Sequence, residues 1–157
     1  MNKIIHTFIY LFYAIGYFGD SIAFLLVNLF LLNRPIFFIF YIIFAYLNIL
    51  LNEFLTNKIK QKNPKNPIKF LESDTFPKNR FGMPSIHSQN MFFSITYSFL
   101  VTKKILLLLL IGCIVIYERY VFRDHTMKQL IYGALLGSII GYISYSIVNT
   151  IESLFLV

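Results

Sequence analysis

Charge and cysteine are the scarce commodities of this sequence. Of 157 residues, 13% are charged, about half the roughly 25% that a soluble domain uses to cover its surface. That deficit excludes an ordinary water-soluble globule. The one cysteine, Cys113, excludes an internal disulfide framework and a cysteine-rich metal site. What is abundant is apolar: 57% of residues are hydrophobic and the mean hydropathy is +0.68. Eleven tyrosines and eighteen phenylalanines bring aromatics to 18%. That excludes disorder, because disordered segments are poor in aromatic residues. The length suits one domain, so residues 1–157 are expected to form a single membrane-embedded unit.

Residues 4–19, 21–33, 35–52, 81–102, 105–117 and 129–151 contain no Asp, Glu, Lys or Arg. A helix crossing a ~30 Å hydrocarbon core needs about 20 residues, which the fourth and sixth runs reach and the third approaches. The second and fifth, 13 residues each, can cross if their charged ends snorkel or point inward. The expected fold is therefore all-α, an integral membrane bundle of about six transmembrane helices. Residues 4–33 are open between two spans, one long span and an interfacial hairpin at Gly19-Asp20. Asp20 and Ser21 suit a helix start, and Pro35 suits a first helical turn. Gly133, Gly137 and Gly141 recur every four residues, the mark of close helix packing. No basic segment with a small-residue cleavage site precedes the first run, which is expected to stay.

The one long polar stretch, about residues 58–84, carries Pro64, Pro67, Pro77 and Pro84 and is a poor helix. Between Lys58 and Arg80 it holds seven basic residues and two acids, a local net of +5 out of the chain's +7. With the N-terminus inside, Lys3, Arg34 and Lys103-Lys104 fall on the cytoplasmic side, as the positive-inside bias asks. The basic loop and the stretch 118–128 then share the opposite face. A basic loop held there against the bias points to anion binding. It has few aromatics on which bases could stack, so nucleic acid is not an expected partner.

Two histidines fall on that same face. His87 follows Pro84-Ser85-Ile86 at the mouth of the fourth run, and His125 follows Arg119 by six residues. A single interfacial histidine is most often satisfied by backbone or water. Two of them, with Lys58, Lys65 and Arg119, form a different set. Imidazole serves as nucleophile or general acid near neutral pH, and the cations neutralise phosphoryl oxygens. Two histidines without an acidic cluster are too few ligands for a metal. No metal or other cofactor is expected.

Taken together, Lys58-x6-Lys65-Asn66, Pro84-Ser85-Ile86-His87 and Arg119-x5-His125 resemble the motifs KxxxxxxRP, PSGH and SRxxxxxHxxxD of the type 2 phosphatidic acid phosphatase superfamily. Within it the chain looks most like the dolichyl-diphosphatases. That likeness lies in Phe81-Gly82-Met83-Pro84-Ser85-Ile86-His87-Ser88-Gln89 and in the stretch from Asp124-His125-Thr126 to Tyr132-Gly133. It covers about residues 19–145. The resemblance implies that His125 attacks the terminal phosphorus of a polyprenyl (dolichyl) diphosphate and becomes a phosphohistidine. It implies that His87 protonates the leaving oxygen and then activates water, with Lys58, Lys65, Ser85 and Arg119 holding phosphoryl oxygens. The product would be the monophosphate, made at the endoplasmic reticulum membrane with the site facing the lumen, so recycling the lipid carrier of glycosylation. Two alternatives stand beside it: a broader phosphatase acting on phosphatidate or diacylglycerol pyrophosphate, and a decayed protein that only binds anionic headgroups.

Three departures from the motifs matter. Lys65-Asn66 replaces Arg-Pro, keeping the charge and losing the bidentate fork. Glu118 stands where the motif has Ser. Gln129 stands where many members have the Asp that orients the nucleophile. A glutamine oxygen can accept the imidazole N–H, and Gln129 is expected to orient His125 in this way.

Overall fold

The computed structural model describes residues 3–71 and 80–155; residues 72–79 of the basic loop, Pro77 among them, lie outside the described residues. Among the described residues six helices form: α1 (Lys3–Tyr17), α2 (Gly19–Phe30), α3 (Pro35–Ile59), α4 (Ile86–Thr102), α5 (Leu106–Val121) and α6 (Met127–Phe155). Among the described residues, the strand-like pairing is one isolated bridge between Lys62 and Phe81.

The first two helices are one hydrogen-bonded run with a sharp bend. The Phe18 N–H donates to Ala14 O and the Ile22 N–H to Phe18 O, yet the axis turns by 70° there. Asp20 therefore sits inside the first turn of α2, and Phe18 takes the cap position without a side-chain bond. One Asp20 oxygen accepts the Ser21 N–H, and the other is left to reach another helix. Two glycines flank the bend and let it lie against α5. A methyl group at Gly16 would fall 2.5 Å from Glu118 Cβ, and one at Gly19 would overlap Val115.

Proline and the left-handed backbone set the other helix ends. Pro35 opens α3, where its missing N–H has no partner to lose. The helix then outruns its uncharged stretch, carrying the exposed Glu53 and Lys58, until Lys60 ends it at φ 52°. Helix α4 begins five residues into its run, because Pro84 and Ser85 precede it and the Ser85 oxygen accepts the Ser88 N–H.

Helices α3 and α6 are each long and apolar enough to cross a membrane, and the bent α1–α2 pair is a third candidate. Helices α4 and α5, with 17 and 16 residues, rise about 24–26 Å at ~1.5 Å per residue. Leu25, Leu29, Ile39, Leu110 and Ile139 are each more than half exposed. So much exposed apolar surface marks a lipid-facing wall rather than a water-facing one.

The core gathers Val27 of α2 and its cap residue Leu31, Phe37 and Tyr41 of α3, Met91, Phe93 and Tyr97 of α4, and Leu108 and Val115 of α5. Helix α4 is central and packs most extensively on α6. The glycine series makes that contact close. A methyl group would sit 2.5 Å from Ser85 O at Gly133, overlap Gln89 O at Gly137, and sit 2.8 Å from Phe93 O at Gly141. Buried carboxamides tie α3 to α4: Asn52 Nδ2 donates to Gln89 Oε1, Gln89 Nε2 to Asn48 Oδ1, and Asn48 Nδ2 to Asn90 Oδ1. In an apolar solvent such bonds keep amides from being stranded, and they fix the register of the two helices.

Candidate active site

Three backbone devices bring the histidine segments together. The loop after α3 folds back on the segment before α4, with the Asn63 N–H donating to Arg80 O and the Gly82 N–H to Gln61 O. The Ser85 N–H donates to Gln129 O, and Ser88 Oγ donates to Leu130 O at 2.7 Å, so the start of α4 is sewn to the start of α6. After α5 the chain reverses at Arg123, φ 58°, and Arg119 O accepts both the Asp124 and His125 N–H groups. Thr126 and Gln129 then cap α6 reciprocally: Gln129 Oε1 accepts the Thr126 N–H at 2.8 Å, and Thr126 Oγ1 accepts the Gln129 N–H. This is a capping box.

These turns place the rings of His87 and His125 face to edge, with centroids 6.5 Å apart. That separation leaves room for one tetrahedral phosphoryl group between them. His87 Nδ1 lies 3.0 Å from Asp20 Oδ2. A carboxylate there accepts, so Nδ1 carries the hydrogen and Nε2 points the other way.

Beside the histidines, one carboxylate holds two guanidinium groups. Arg119 Nη1 donates to Asp124 Oδ2 at 2.8 Å, while Arg80 Nη1 and Nη2 donate to Asp124 Oδ1 at 3.2 Å. Arg119 Nη2 donates to Tyr17 O at 2.8 Å, and its guanidinium lies over the Tyr17 ring. Its Nε is 3.3 Å from the fully buried Glu118. Glu118, standing where the motif has Ser, is thus a partner of Arg119. Asp124 and the Tyr17 carbonyl thus hold the guanidinium by hydrogen bonds, and Glu118 adds an ion pair.

His125 is buried, and its Nδ1 has no hydrogen-bond partner. Burial first, and then the charges of His87, Arg119 and Arg80, push its pKa down to about 3, against a small opposing contribution from Gln129. The imidazole is accordingly neutral at pH 7, with a lone pair to offer. Gln129 adjoins the ring, but its oxygen is engaged by the Thr126 N–H and its nitrogen donates to Lys62 O and Asn63 Oδ1. No hydrogen bond closes between it and the buried Nδ1.

The sequence-derived set is thus split. His87, His125, Ser85 and Arg119 converge. Lys58 is exposed at the end of α3 with its Nζ over the Phe54 ring, and Lys65 is exposed in the loop. Among the described residues, neither lysine bonds to the cluster. Sequence reasoning passed over Arg80, counted there only as one charge of a basic tract, and Asp20, weighed as a helix cap. Asp124 was noticed for likeness alone. Among the described residues, no three of His, Cys, Asp and Glu converge as a metal cage.

The family model described as PAP2 superfamily matches residues 34–153. The chain is similar to lipid phosphate phosphatase gamma of Arabidopsis thaliana, 30% identical over 139 residues, or 80% of this chain and 59% of that one. It is similar as well to the dolichyldiphosphatase of Saccharomyces cerevisiae, 30% identical over 124 residues, or 71% of this chain and 52% of that one. The chain thus spans little more than half the length of these curated relatives. No solved structure matches it.

Proposed function

The chain belongs to the PAP2 superfamily, and on that premise we propose that it is a metal-independent membrane phosphatase converting a polyprenyl diphosphate to the monophosphate. The observation that carries this is the His87–His125 pair at 6.5 Å with Arg80 and Arg119 fixed beside it by Asp124. In the first step His125 Nε2 attacks the terminal phosphorus. The P–O bond to the lipid monophosphate breaks, and the leaving oxygen takes a proton from His87. In the second step water attacks the phosphohistidine and gives its proton to His87. The P–N bond then breaks, its electron pair returns to His125, and phosphate leaves.

The surrounding cations stabilise the equatorial oxygens. Asp20, Glu118 and Asp124 offset the two arginines, so the surplus positive charge for an anionic substrate comes from exposed lysines, Lys58 at the end of α3 and Lys65 in the loop among them. The Ser85 hydroxyl and the first N–H groups of α4 add donors. With the Nδ1–H of His125 facing inward, the second lone pair of Gln129 Oε1 takes it when phosphate binds.

A lipid substrate is supported by a cavity of about 500 Å³ between α2, α3 and α4, with Phe24, Leu25, Ile42, Tyr46, Phe93 and Asp20 in its lining. A hydrocarbon chain lying there puts its headgroup against His87. The likeness to a dolichyldiphosphatase favours a polyprenyl chain, with the site facing the lumen of the endoplasmic reticulum. Equal identity to a lipid phosphate phosphatase keeps a broader substrate range as the second reading. The deciding experiment is phosphate release by purified protein from polyprenyl diphosphate, polyprenyl monophosphate and phosphatidate, each with excess EDTA. Preference for the diphosphate is expected, and equal rates on phosphatidate would favour the broader enzyme. Activity lost to EDTA and restored by a divalent cation would remove the proposed mechanism.

A further inference from the structure

Residues 3–33 precede the segment matched by the family model, yet the bend between α1 and α2 delivers two contacts into the site. Tyr17 O accepts from Arg119 Nη2 at 2.8 Å, and Asp20 Oδ2 accepts from His87 Nδ1 at 3.0 Å. The contacts are three residues apart and lie on either side of Phe18, where the axis turns by 70°. Both are only partly shielded or buried bonds to side chains far along the chain, not local caps. Gly16 and Gly19 hold the bend against α5, where Glu118 and Arg119 lie.

We propose that Asp20 is the positioning residue for the leaving-group step, acting through His87, and that the α1–α2 bend is the part of the chain that delivers it. The inference rests on the phosphohistidine reading above. An imidazole without a partner flips about its χ2 axis and exchanges tautomers. Bonded to Asp20, His87 keeps its hydrogen on Nδ1 and presents Nε2 toward His125 and the phosphorus. From that fixed position Nε2 gives a proton to the departing oxygen and recovers one from the attacking water. Asp20 from α2 and His125 from the turn before α6 face His87, while Arg119 from α5 lies near both of these and Arg80 near His125. Of these, Asp20 is the one with a direct hydrogen bond to the ring.

The test compares Asp20→Asn with wild type on two substrates. One is an alkyl monophosphate, whose leaving alkoxide needs a proton; the other is p-nitrophenyl phosphate, whose leaving phenolate does not. Phosphoenzyme formation on the alkyl substrate should fall on the order of 10²-fold, the lower end of the ~10²–10⁴ that general acid–base help supplies. Formation from the nitrophenyl ester should change little, a contrast that a merely structural loss would not produce. Asp20→Asn added to His87→Asn should cost nothing further, and Asp20→Glu should recover part of the rate. Thermal unfolding in the same detergent reports whether each variant is folded. Equal losses on both substrates, or additive losses in the double variant, would overturn the role of Asp20 while leaving the phosphohistidine reading intact. Absence of any phosphoenzyme in the wild type would overturn both.

Discussion

Replacing Gly133 with alanine puts one methyl group on α6 at 2.5 Å from the Ser85 carbonyl oxygen, about 0.5 Å inside the 3.0 Å that real Cβ contacts keep. The opposing atom belongs to the backbone, and the same two segments are pinned by the Ser85-to-Gln129 and Ser88-to-Leu130 hydrogen bonds. Relief therefore requires the start of α4 to move away from the start of α6, and with it His87 from His125. Overpacking costs about 1–3 kcal/mol, partly offset by the ~0.8–1.0 kcal/mol that alanine gains over glycine in a helix. Stability should fall by roughly 0–2 kcal/mol. Turnover should suffer more: a ~1 Å misplacement costs about 10²-fold, so half of it costs on the order of tenfold. Gly141→Ala is the internal comparison. Its methyl group would lie 2.8 Å from Phe93 O, about 0.2 Å inside the same floor and two turns from the site. It should keep turnover near wild type and lose less stability than Gly133→Ala. Turnover and thermal midpoint measured in one detergent decide the matter. Wild-type activity in Gly133→Ala, or equal damage from Gly141→Ala, would refute the claim that this glycine sets the histidine geometry.

Arg80→Gln removes one of the two guanidinium groups held by Asp124. Charge-assisted bonds are worth about 1.5–3 kcal/mol, so vanadate inhibition and KM should weaken at least roughly tenfold, and unchanged values would exclude Arg80 from the phosphate site. Gln89→Leu removes the donor to Asn48 Oδ1, leaving that buried oxygen unpaired, and one of the two acceptors of Asn52 Nδ2, which keeps Pro84 O. At ~1–3 kcal/mol per buried unpaired group, its thermal midpoint should drop clearly, and an unchanged midpoint would show the network to be idle. His125, held down to about 3, stays neutral at pH 5, so the pre-steady-state rate of phosphoenzyme formation should not lose its nucleophile there. The same depression makes the unfolded chain, with an ordinary imidazole near 6.5, the better proton acceptor. Stability from this group is thus complete above pH ~6.5 and lost as pH falls toward 3. His125→Gln should flatten that slope, and identical pH dependence in variant and wild type would contradict the depressed pKa.

How far the sequence alone carried depends on whether a feature is local. The glycine series was legible because a period of four on one helix has one meaning in a tight bundle, and Gly133, Gly137 and Gly141 all meet α4 backbone. Pro35 and the polar loop announced their boundaries through proline's missing N–H. A break near Gly19-Asp20 was legible as one of three readings of residues 4–33, but its 70° angle was not. Gly16 and Gly19 weaken the helix on either side of Phe18, and packing on α5 sets the turn. Asp20 looked like a cap because its partner, His87, lies 67 residues away. Gln129 showed its likeness to an orienting residue, yet the Thr126-x-x-Gln129 spacing also spells a capping box, and that competing use was visible in the sequence. Lys58 and Lys65 were chosen by spacing, which says nothing of the direction in which a long side chain leaves the backbone. Arg80 was hidden among seven like charges, since only the fold selects which of them meets Asp124.

The central claim is a phosphoryl group carried on His125. A rapid-quench reaction with polyprenyl diphosphate labelled at the terminal phosphate, run in excess EDTA and followed by peptide mapping, tests it directly. Acid-labile, alkali-stable label should appear on His125 in the wild type. Such label should accumulate further in His87→Ala, where water activation is lost, and be absent from His125→Ala. Turnover without any labelled histidine, or label on His87 in the His125→Ala protein, would contradict the account.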